Sequence, residues 1–587
     1  MKDVVFKSFV YLLFLLTSGN AIAAPGGFSG PTWYDYRMAY EGSGTFIEPY
    51  EISRPEHLAQ LSYEVNEQGK SHEGHFFVLT ADINLDKNVD GERVQWIPIG
   101  YRPNANEYKN YHFQGALLGF DTKSMKDNGW SPELKHSISG MYIKSTGSDD
   151  VLYYGLFGSM KGLVLGVEQK GFSIDYGQFN GSGAIIGGLC GMTDGSDMYY
   201  SEFIGVPDFM RMSNGVDGCS VEGSISVEGN GGTICIGGVV GINTDYNGVG
   251  HTISRVSISA ENCSVIGGVV GTGYGTVVDC AADVNIVAKS ISTDIGSVGG
   301  IVGYLDDKMT VRACSSMGTI SMIQAQGISL GGIAGKMCYG TQIRGCSSTI
   351  SFDVEKAGFV GGIAGYMRQG SGRSTLEAKI ENCAYGGRIN IGLSMNNVGG
   401  ICGYSEWDND LRIENCLFTG TINANENAAA IVGECKKSSE NVGGCYYDKM
   451  MYNGPICGTE TTHASVRGLT TDVMTSGDTR YMSMLSTDDT AESWFSFGKG
   501  YYPAVRCNGE WTEYYEFYKY NTSTYLEKEF SIQMFSYDNM YRDNTVYMTG
   551  SWLCSVPVNI PKGDTAYDLV TKVISPAKNG EIGRAHV

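Results

Sequence analysis

The segment His72-Glu73-Gly74-His75 comes closer than any other part of this sequence to a zinc-hydrolase motif. Its two histidines are three positions apart. The HExxH motif instead places them at i and i+4 on one face of a helix, with the glutamate as general base. Gly74 also disfavours a helix at this point. We therefore predict a loop here, and no other histidine lies in a recognisable nucleophile motif.

Six of the 16 cysteines recur at steps of 29 to 37 residues. No CxxC pair is present to chelate zinc, and 16 cysteines in 587 residues are too few for a disulfide scaffold. We predict that these six cysteines lie above one another in stacked repeats and form a column of buried free thiols. The alternatives are disulfides between neighbouring repeats, or a metal site. The column is Cys280, Cys314, Cys346, Cys383, Cys416 and Cys445.

The chain is acidic, with a formal net charge of −21. Such a surface repels phosphate backbones, so we predict no nucleic-acid partner. Acidic loops also suit calcium, but Asp194–Asp197, Asp306-Asp307 and Asp408–Asp410 follow no ordered calcium-loop template. We predict solvated turns and no cofactor, with structural calcium as the alternative.

A Gly-Gly-apolar-x-Gly pentapeptide recurs seven times, and a degenerate eighth copy begins at Ala429. The steps between copies are 30 to 50 residues, so one supersecondary unit is repeated and stacked. The defining glycine pairs are Gly187 and Gly188, Gly237 and Gly238, Gly267 and Gly268, Gly299 and Gly300, Gly331 and Gly332, Gly361 and Gly362, and Gly399 and Gly400.

Each unit reads as three short strands separated by turns, rich in Val, Ile, Thr and Ser. About 30 residues in such strands fit one rung of a parallel β-helix, whose rungs stack at about 4.8 Å. The predicted fold is all-β: a parallel β-helix, or β-solenoid, of about ten rungs. It has a short N-terminal capping helix and a partial C-terminal β-module.

A glycosidase or polysaccharide lyase on such a rod would need acids, or an acid with Arg or Lys, at matching positions of neighbouring rungs. Aligning the units on their cysteines places no acid column beside them. That alignment stacks Asp279, Ala313, Gly345, Asn382, Asn415 and Gly444. Insertions at 192–218 and 366–380 could still build a site, so this enzyme stays an alternative.

The first 23 residues predict a signal peptide. Lys2 and Lys7 precede an apolar run, and Ala21-Ile22-Ala23 offers a cleavage site. No later stretch approaches 18 uninterrupted apolar residues, so we predict an exported protein without a transmembrane segment. Residues 24–160 are expected to form the N-terminal cap and first rungs. Ser53 and Glu56 there predict a capping box for one short amphipathic helix.

The order of several weak motifs resembles bacterial exported proteins with GLUG-motif repeats. These motifs include Leu79–Leu85, Trp96–Gly100, Gly155–Gly158 and the pentapeptides, and a closing segment lies at Gly468–Thr471 and Trp494–Pro503. The resemblance covers roughly residues 40 to 505. It implies a cell-surface or secreted β-solenoid of adhesin-like proteins, which also accompanies some immunoglobulin A proteases. It implies no catalytic residues inside the repeats.

The chain therefore divides into a repeat solenoid at 161–450, a closing segment at 451–510 and an aromatic-rich, truncated β-module at 511–581. Residues 582–587 match one reading frame of a common sequencing adapter, so we expect a longer natural protein. A C-terminal anchor is one expected part of the missing sequence.

We predict a non-catalytic adhesin or ligand-binding scaffold whose insertions contact a glycan or protein of a host or neighbouring cell. The alternatives are the β-helix enzyme and a spacer arm of a larger protease.

Overall fold

A computed structural model describes most of residues 28–507, together with short strands beyond. The described ranges are 28, 30–100, 112–120, 136–145, 153–179, 183–194, 215–229, 233–244, 248–289, 296–306, 308–323, 327–368, 378–392, 397–406, 411–424, 428–435, 441–478, 482, 494–495, 499–500, 502–507, 514–515, 525–536, 541–542, 545–546 and 552–561. The predicted signal peptide, the adapter-like end and the middle of both insertions lie outside them.

A complete rung passes through four sheets rather than consisting of the three strands predicted. Among the described residues, three such rungs have their last strand divided in two, as at Ser347–Ser348 and Ser351–Val354. One rung runs through Val265–Gly267, Val270–Gly273, Thr276–Val278 and Ala281–Lys289. The pentapeptide ends one strand and begins the next, as Gly331 ends Ser329–Gly331 and Ala334 begins Ala334–Met337. Stacked rungs give four sheets, which we name A, B, C and D in the order in which a rung passes through them.

The strands of each sheet are as follows. Sheet A holds Tyr153–Tyr154, Gly183–Gly187, Thr233–Gly237, Val265–Gly267, Ser297–Gly299, Ser329–Gly331, Phe359–Gly361, Val398–Gly399 and Ala428–Ala429. Sheet B holds Phe157–Met160, Cys190–Thr193, Val240–Asn243, Val270–Gly273, Val302–Leu305, Ala334–Met337, Ala364–Met367, Cys402–Ser405 and Val432–Cys435. Sheet C holds Tyr50–Ile52, Phe76–Leu79, Ala116–Leu118, Leu163–Leu165, Val216–Asp217, Val249–Gly250, Thr276–Val278, Thr310–Arg312, Gln342–Arg344, Ala378–Glu381, Leu411–Glu414 and Val442–Gly443. Sheet D holds Ile83–Asn84, Ser137–Ser139, Tyr142–Ser145, Glu168–Phe179, Ser220–Gly229, Ile253–Glu261, Ala281–Lys289, Ser315–Ile323, Ser347–Ser348, Ser351–Val354, Ala384–Tyr385, Arg388–Ile391, Leu417–Phe418, Thr421–Asn423, Cys445–Asp448 and Val466–Leu469.

Short antiparallel elements accompany the four sheets. They are Asn88–Val89 with Glu92–Arg93, Trp494–Phe495 with Ala504–Cys507 and Tyr514–Tyr515, Tyr525–Ser536 with Trp552–Pro561, and Tyr541–Arg542 with Thr545–Val546. Within sheets A to D the pairing is parallel and, apart from register shifts between Glu168–Phe179 and Ser220–Gly229, in register, so equivalent residues of successive rungs form columns. Apolar columns fill the interior, as at Ile236, Ile266 and Val298, which are fully buried. The parallel β-helix prediction is confirmed.

The paired glycines let two backbones approach each other more closely than a side chain permits. A Cβ on Gly331 would lie 1.9 Å from the carbonyl oxygen of Ala334, and one on Gly332 would lie 2.1 Å from that of Gly362 in the next rung. The final glycine, Gly335, packs against the backbone of Val298 in sheet A. In these rungs sheets A and B therefore meet in a bend where a side chain would displace backbone, while the last rung holds Ala429 and Ala430 at the same positions.

The corner between sheets C and D requires a left-handed backbone. The residue before each column cysteine has a positive φ, which explains why the aligned position holds Gly, Asn and Asp. Gly218 and His251 hold the same position in the two preceding rungs. The full set is Gly218, His251, Asp279, Ala313, Gly345, Asn382, Asn415 and Gly444. His251 belongs to the column because Thr252 replaces the cysteine in that rung.

The cysteine column forms a hydrogen-bonded ladder inside this corner. Each thiol lies near a carbonyl two residues back, as with Cys314 Sγ at 3.1 Å from Arg312 O. The backbone N–H of Cys280 points to Cys314 Sγ at 3.4 Å, and Cys314 N–H points to Cys346 Sγ at 3.5 Å. All six column cysteines are buried and unpaired as disulfides. Burial raises the pKa of the Cys314, Cys383 and Cys445 thiols, so they stay protonated.

The predicted capping helix is present at Pro55–Asn66, beside a 3-10 turn at Trp33–Tyr36. The predicted capping box is wrong, because Arg54 is the N-cap residue and no side chain caps the helix. Pro55 at the first helical position sets the start instead, since its fixed φ already matches a helix. Leu58, Leu61 and Val65 pack into the end of the core, as their spacing predicted.

The closing segment is fastened to the last rungs by Asp448, which is fully buried. Its carboxylate accepts hydrogen bonds from the Tyr502 hydroxyl at 2.5 Å and the Thr471 hydroxyl at 2.6 Å. Thr471 begins a short helix, Thr471–Met474, and Trp494 donates its indole N–H to Asn415 O. The segment boundaries at residues 160, 450 and 510 stay predictions.

A side chain at the glycine bend is expected to destabilise the fold strongly. Gly331→Ala should lower the free energy of unfolding by about 2 to 4 kcal/mol, because its Cβ would meet backbone that cannot move aside. Gly443→Ala is the matched control, since a Cβ there meets nothing within 4 Å. Thermal or urea unfolding of both variants measures the difference, and equal stabilities would contradict the account.

The buried thiols are expected to be inert in the folded protein. Labelling with a maleimide at pH 8, followed by mass spectrometry, should leave the six column cysteines unmodified until the protein is denatured. Cys435 is only half-buried and serves as the internal control that reacts first. Disulfides between column cysteines, or fast labelling of them, would contradict the free-thiol prediction.

Candidate functional site

The His72–His75 segment is a loop, and it anchors the N-terminal cap. His72 Nε2 lies 3.1 Å from Glu64 Oε2, and Glu64 also accepts hydrogen bonds from Tyr40 and Lys70. Burial opposes ionisation of Glu64, but hydrogen bonds from His72 and Tyr40 outweigh it and lower its pKa to about 2. Among the described residues no group of three His, Cys, Asp or Glu side chains could hold a metal ion.

Sheet C carries an acid pair that the cysteine-based alignment missed. Glu381 and Glu414 are register partners on neighbouring strands, two residues before their column cysteines rather than one. Lys379 Nζ bridges them, at 3.2 Å from Glu381 and 2.8 Å from Glu414. Arg344 pairs with Glu381 and Arg412 with Glu414. The expectation that no acids match between rungs is therefore wrong.

This acid pair has the character of a salt-bridge ladder rather than of a proton donor. The hydrogen bond from Lys379 lowers the pKa of Glu414, although burial opposes the shift. A glycosidase acid needs a raised pKa so that it is protonated when the substrate binds. Cross-strand pairs of opposite charge on an exposed sheet stabilise pairing, which accounts for this ladder.

A second charged cluster lies at the C–D corner in three successive rungs. His251 Nδ1 is 2.7 Å from Asp217 Oδ1, and Nε2 is 3.4 Å from Asp279 Oδ2. Burial opposes protonation of His251, but the two carboxylates outweigh it and raise its pKa well above the usual range. Both ring nitrogens are engaged, so the imidazole has no free nitrogen for general-base work.

Sheet B presents the surface with the most varied chemistry on the described part of the rod. The residue after the last glycine of each pentapeptide points outward, and these residues form one column. In four successive rungs they are Tyr304, Lys336, Tyr366 and Tyr404, and Phe359 of sheet A packs beside them. We call these five residues the aromatic patch.

Three rings of the aromatic patch pack against one another. Phe359 and Tyr366 have centroids 4.8 Å apart and nearly parallel planes, and Tyr404 lies 5.0 Å from Phe359 and 5.4 Å from Tyr366. The faces of Phe359 and Tyr366 therefore cover each other, and Tyr404 is tilted against both rings. Such rigid side chains lose little conformational entropy when they bind a ligand.

A second column of residues borders the patch, two positions after the patch residue of each rung. It holds Asp306, Cys338, Arg368 and Glu406. The Tyr304 hydroxyl and Cys338 Sγ are 2.9 Å apart, and the Tyr366 hydroxyl hydrogen-bonds Glu406. Burial, with this contact to Glu406, raises the pKa of the Tyr366 hydroxyl, so it stays protonated.

Both sequence-predicted contact insertions leave the rod beside this surface. The insertion at 192–218 starts on the sheet B strand Cys190–Thr193 and returns at Val216–Asp217 of sheet C. The insertion at 366–380 starts on Ala364–Met367 and returns at Ala378–Glu381. Both therefore emerge at the corner between sheets B and C. Their central parts, 195–214 and 369–377, lie outside the described residues.

Of the acidic residues considered for structural calcium, the structure describes Asp194 and Asp306. Asp194 forms an ion pair with Lys161 at 3.2 Å, and Asp306 belongs to the column beside the patch. The rest of the Asp194 loop, Asp307 and Asp408–Asp410 lie outside the described residues. The aromatic cluster at 511–525 also lies largely outside them.

No protein-family model matches the chain. Among curated proteins, the chain is 32% identical over 152 residues to a candidate Gly-rich membrane protein of Evansella cellulosilytica. The match covers 26% of this chain and only 14% of that relative. Among the described residues, no helix has the length and apolar character needed to cross a membrane.

Two solved structures of immunoglobulin A1 proteases are similar to the chain. One is a candidate protease from Bacteroides ovatus, with a TM-score of 0.30 and 18% identity, covering 80% of this chain and 95% of that one. The other has a TM-score of 0.32 and 15% identity, covering 64% and 21%. Both TM-scores are low, so the likeness bears on neither activity nor substrate. The GLUG-type assignment stays a prediction.

The His251 cluster predicts a stability difference that depends on pH. His251→Asn keeps a residue that tolerates the left-handed backbone but removes the imidazolium between the two aspartates. Because the folded pKa is raised, the contribution is fully present below the unfolded value of about 6.5. It is lost as pH rises through the folded pKa. Wild type should exceed the variant by about 2 kcal/mol at pH 6.

The measurement is thermal unfolding of both proteins from pH 6 to pH 10. The difference in stability should shrink steadily as the pH rises. A difference that is constant with pH, or that grows, would show that His251 is neutral in the folded protein.

Proposed function

We propose that this protein is an exported β-solenoid that binds a ligand on the outer face of sheet B, as an adhesin or ligand-binding scaffold without catalysis in the repeats. The observation that carries the proposal is the aromatic patch, which lies on the face where both insertions emerge. Rings held on a stacked sheet with charged neighbours resemble the tyrosine- and arginine-rich centres of binding interfaces.

The proposed setting is the surface or surroundings of a bacterial cell, and the proposed partner is a glycan or protein of a host or neighbouring cell. The predicted signal peptide supports export. The surface location and the adhesin role rest on the GLUG resemblance, which is itself part of the proposal. A rod suits such a role because its stacked core supports a long face and tolerates insertions.

A glycosidase or lyase at Glu381 and Glu414 is the second candidate, because sheet C does bring two acids together beside the 366–380 insertion. It predicts cleavage of uronic-acid or neutral polysaccharides that is lost in Glu381→Gln. The spacer alternative predicts that neither face binds anything. In that case substitutions in the aromatic patch would leave every interaction of the protein unchanged.

The test is binding of the purified chain to a glycan array and to cells, with Tyr404→Ala as the variant. Tyr404 is partly exposed at one end of the stacked rings, so its loss should weaken binding about tenfold with little loss of stability. Tyr142→Ala, a partly exposed tyrosine on sheet D, is the matched control. Equal binding by both variants would contradict the proposal, as would polysaccharide cleavage.

A further inference from the structure

One lysine of the aromatic patch lies in an unusual environment. Lys336 is only 9% exposed, although it belongs to an outward column. Its ammonium lies 5.5 Å from the ring centroid of Tyr304 and 5.4 Å from that of Tyr366, the residues of the rungs on either side. The side chain therefore occupies a slot between two tyrosine rings, about 4.8 Å from each neighbouring strand.

Among the described residues, no carboxylate forms an ion pair with the Lys336 ammonium. In the described part of the chain no hydrogen bond or ion pair reaches its Nζ. The two rings contact it, and the charges of Arg368, Glu406 and Asp306 act on it from beyond ion-pair distance. A buried charge without a partner costs stability, which cation–π contacts offset only in part. Burial lowers the Lys336 pKa, and nearby Arg368 lowers it further. A buried charge that lowers stability in this way is typical of a functional position.

The groups around the slot decide what could neutralise this charge. Arg368 is exposed on the next strand, and its guanidinium also forms no ion pair with a described residue. Two acids flank the cations: Asp306 on one side, and Glu406, which the Tyr366 hydroxyl contacts, on the other. These acids would repel an extended polyanion, so we expect a compact anionic group between Lys336 and Arg368.

The walls of the slot indicate what should carry that anionic group. Tyr304 and Tyr366 offer aromatic ring surface and hydroxyls, which together suit a sugar, since its ring has apolar C–H faces and a polar rim. A single acidic sugar unit also matches the width of one rung. An acidic peptide has the charge but no comparable flat, amphipathic ring.

We propose that the aromatic patch binds an acidic sugar, with a carboxylate or sulfate held between Lys336 and Arg368 and the sugar ring packed against the outer parts of Tyr304 and Tyr366. This assignment rests on the proposed ligand-binding function and names its substrate class. The shared chemistry is a compact anion on a pyranose ring, and the source is either a carboxylated or a sulfated sugar.

Calorimetry or biolayer interferometry with matched glycans tests the proposal. Sialyllactose is compared with lactose for the carboxylate, and sulfated galactose with galactose for the sulfate. Binding is expected for at least one acidic member and to be at least tenfold weaker for its neutral partner. Lys336→Gln should weaken the acidic binding at least tenfold. Lys289→Gln removes the same charge from the exposed end of a sheet D strand and should leave binding unchanged.

A stability measurement separates loss of the site from loss of the fold. Lys336→Gln should melt at the same temperature as wild type or higher, because it removes an unpaired buried cation. Loss of binding together with an unchanged or raised melting temperature supports the proposal. Loss of binding together with a lowered melting temperature would show that Lys336 is structural, and would overturn it.

Other outcomes overturn the proposal in distinguishable ways. If cells or glycans bind through Tyr404 but acidic and neutral sugars bind equally, the acidic-sugar assignment fails while the proposed function stands. If nothing binds the sheet B face at all, both fail. If an acidic peptide binds at Lys336 more tightly than any acidic sugar, the partner is a protein and the sugar assignment is wrong.

Discussion

The structure depends on the close approach of sheets A and B at the glycine pairs. At the bends with a glycine pair the two strands lie so near that a single Cβ would overlap a carbonyl oxygen of the same or the next rung. This contact fixes the path of the chain at the same point in every rung and so keeps all other columns in register. The thiol ladder and the left-handed corner between sheets C and D repeat the same alignment on the far side of the core.

Once the core columns set the register, outward positions are free to vary without loss of the fold. The residue after the pentapeptide is Thr272 in one rung and Tyr304, Lys336, Tyr366 and Tyr404 in the next four. The same backbone thus presents rings and charge at intervals of one strand. The corner between sheets B and C tolerates long insertions, because the chain leaves and re-enters the stack there without crossing the core.

Much of this fold was predictable because glycine pairs and β-branched strands recur at a fixed period. The division of each rung among four sheets was not predictable in this way, because one strand ends and the next begins within the five residues of the pentapeptide. The cap of the first helix was missed because Pro55 outweighs a side-chain cap at Ser53. The Glu381 and Glu414 pair was missed because the alignment examined only the residues at and after the left-handed corner.

The binding surface was harder to predict than the fold. Alignment on the cysteines does not compare the residues that follow the pentapeptides. The aromatic column was therefore missed, although all of its residues can be read from the sequence. Aligning the units on Gly303, Gly335, Gly365 and Gly403 would have shown it. The burial of Lys336 could not be predicted in this way, because it depends on the tyrosines of the rungs above and below.

Hydroxyl-radical footprinting of the protein with and without a bound acidic oligosaccharide tests most directly whether sheet B is the ligand face. Tyr304, Tyr366 and Tyr404 should lose reactivity when the ligand binds, while Tyr142 on sheet D should stay as reactive as before. Protection of sheet C or sheet D with the patch unprotected would contradict the account and move the binding site to another face of the rod.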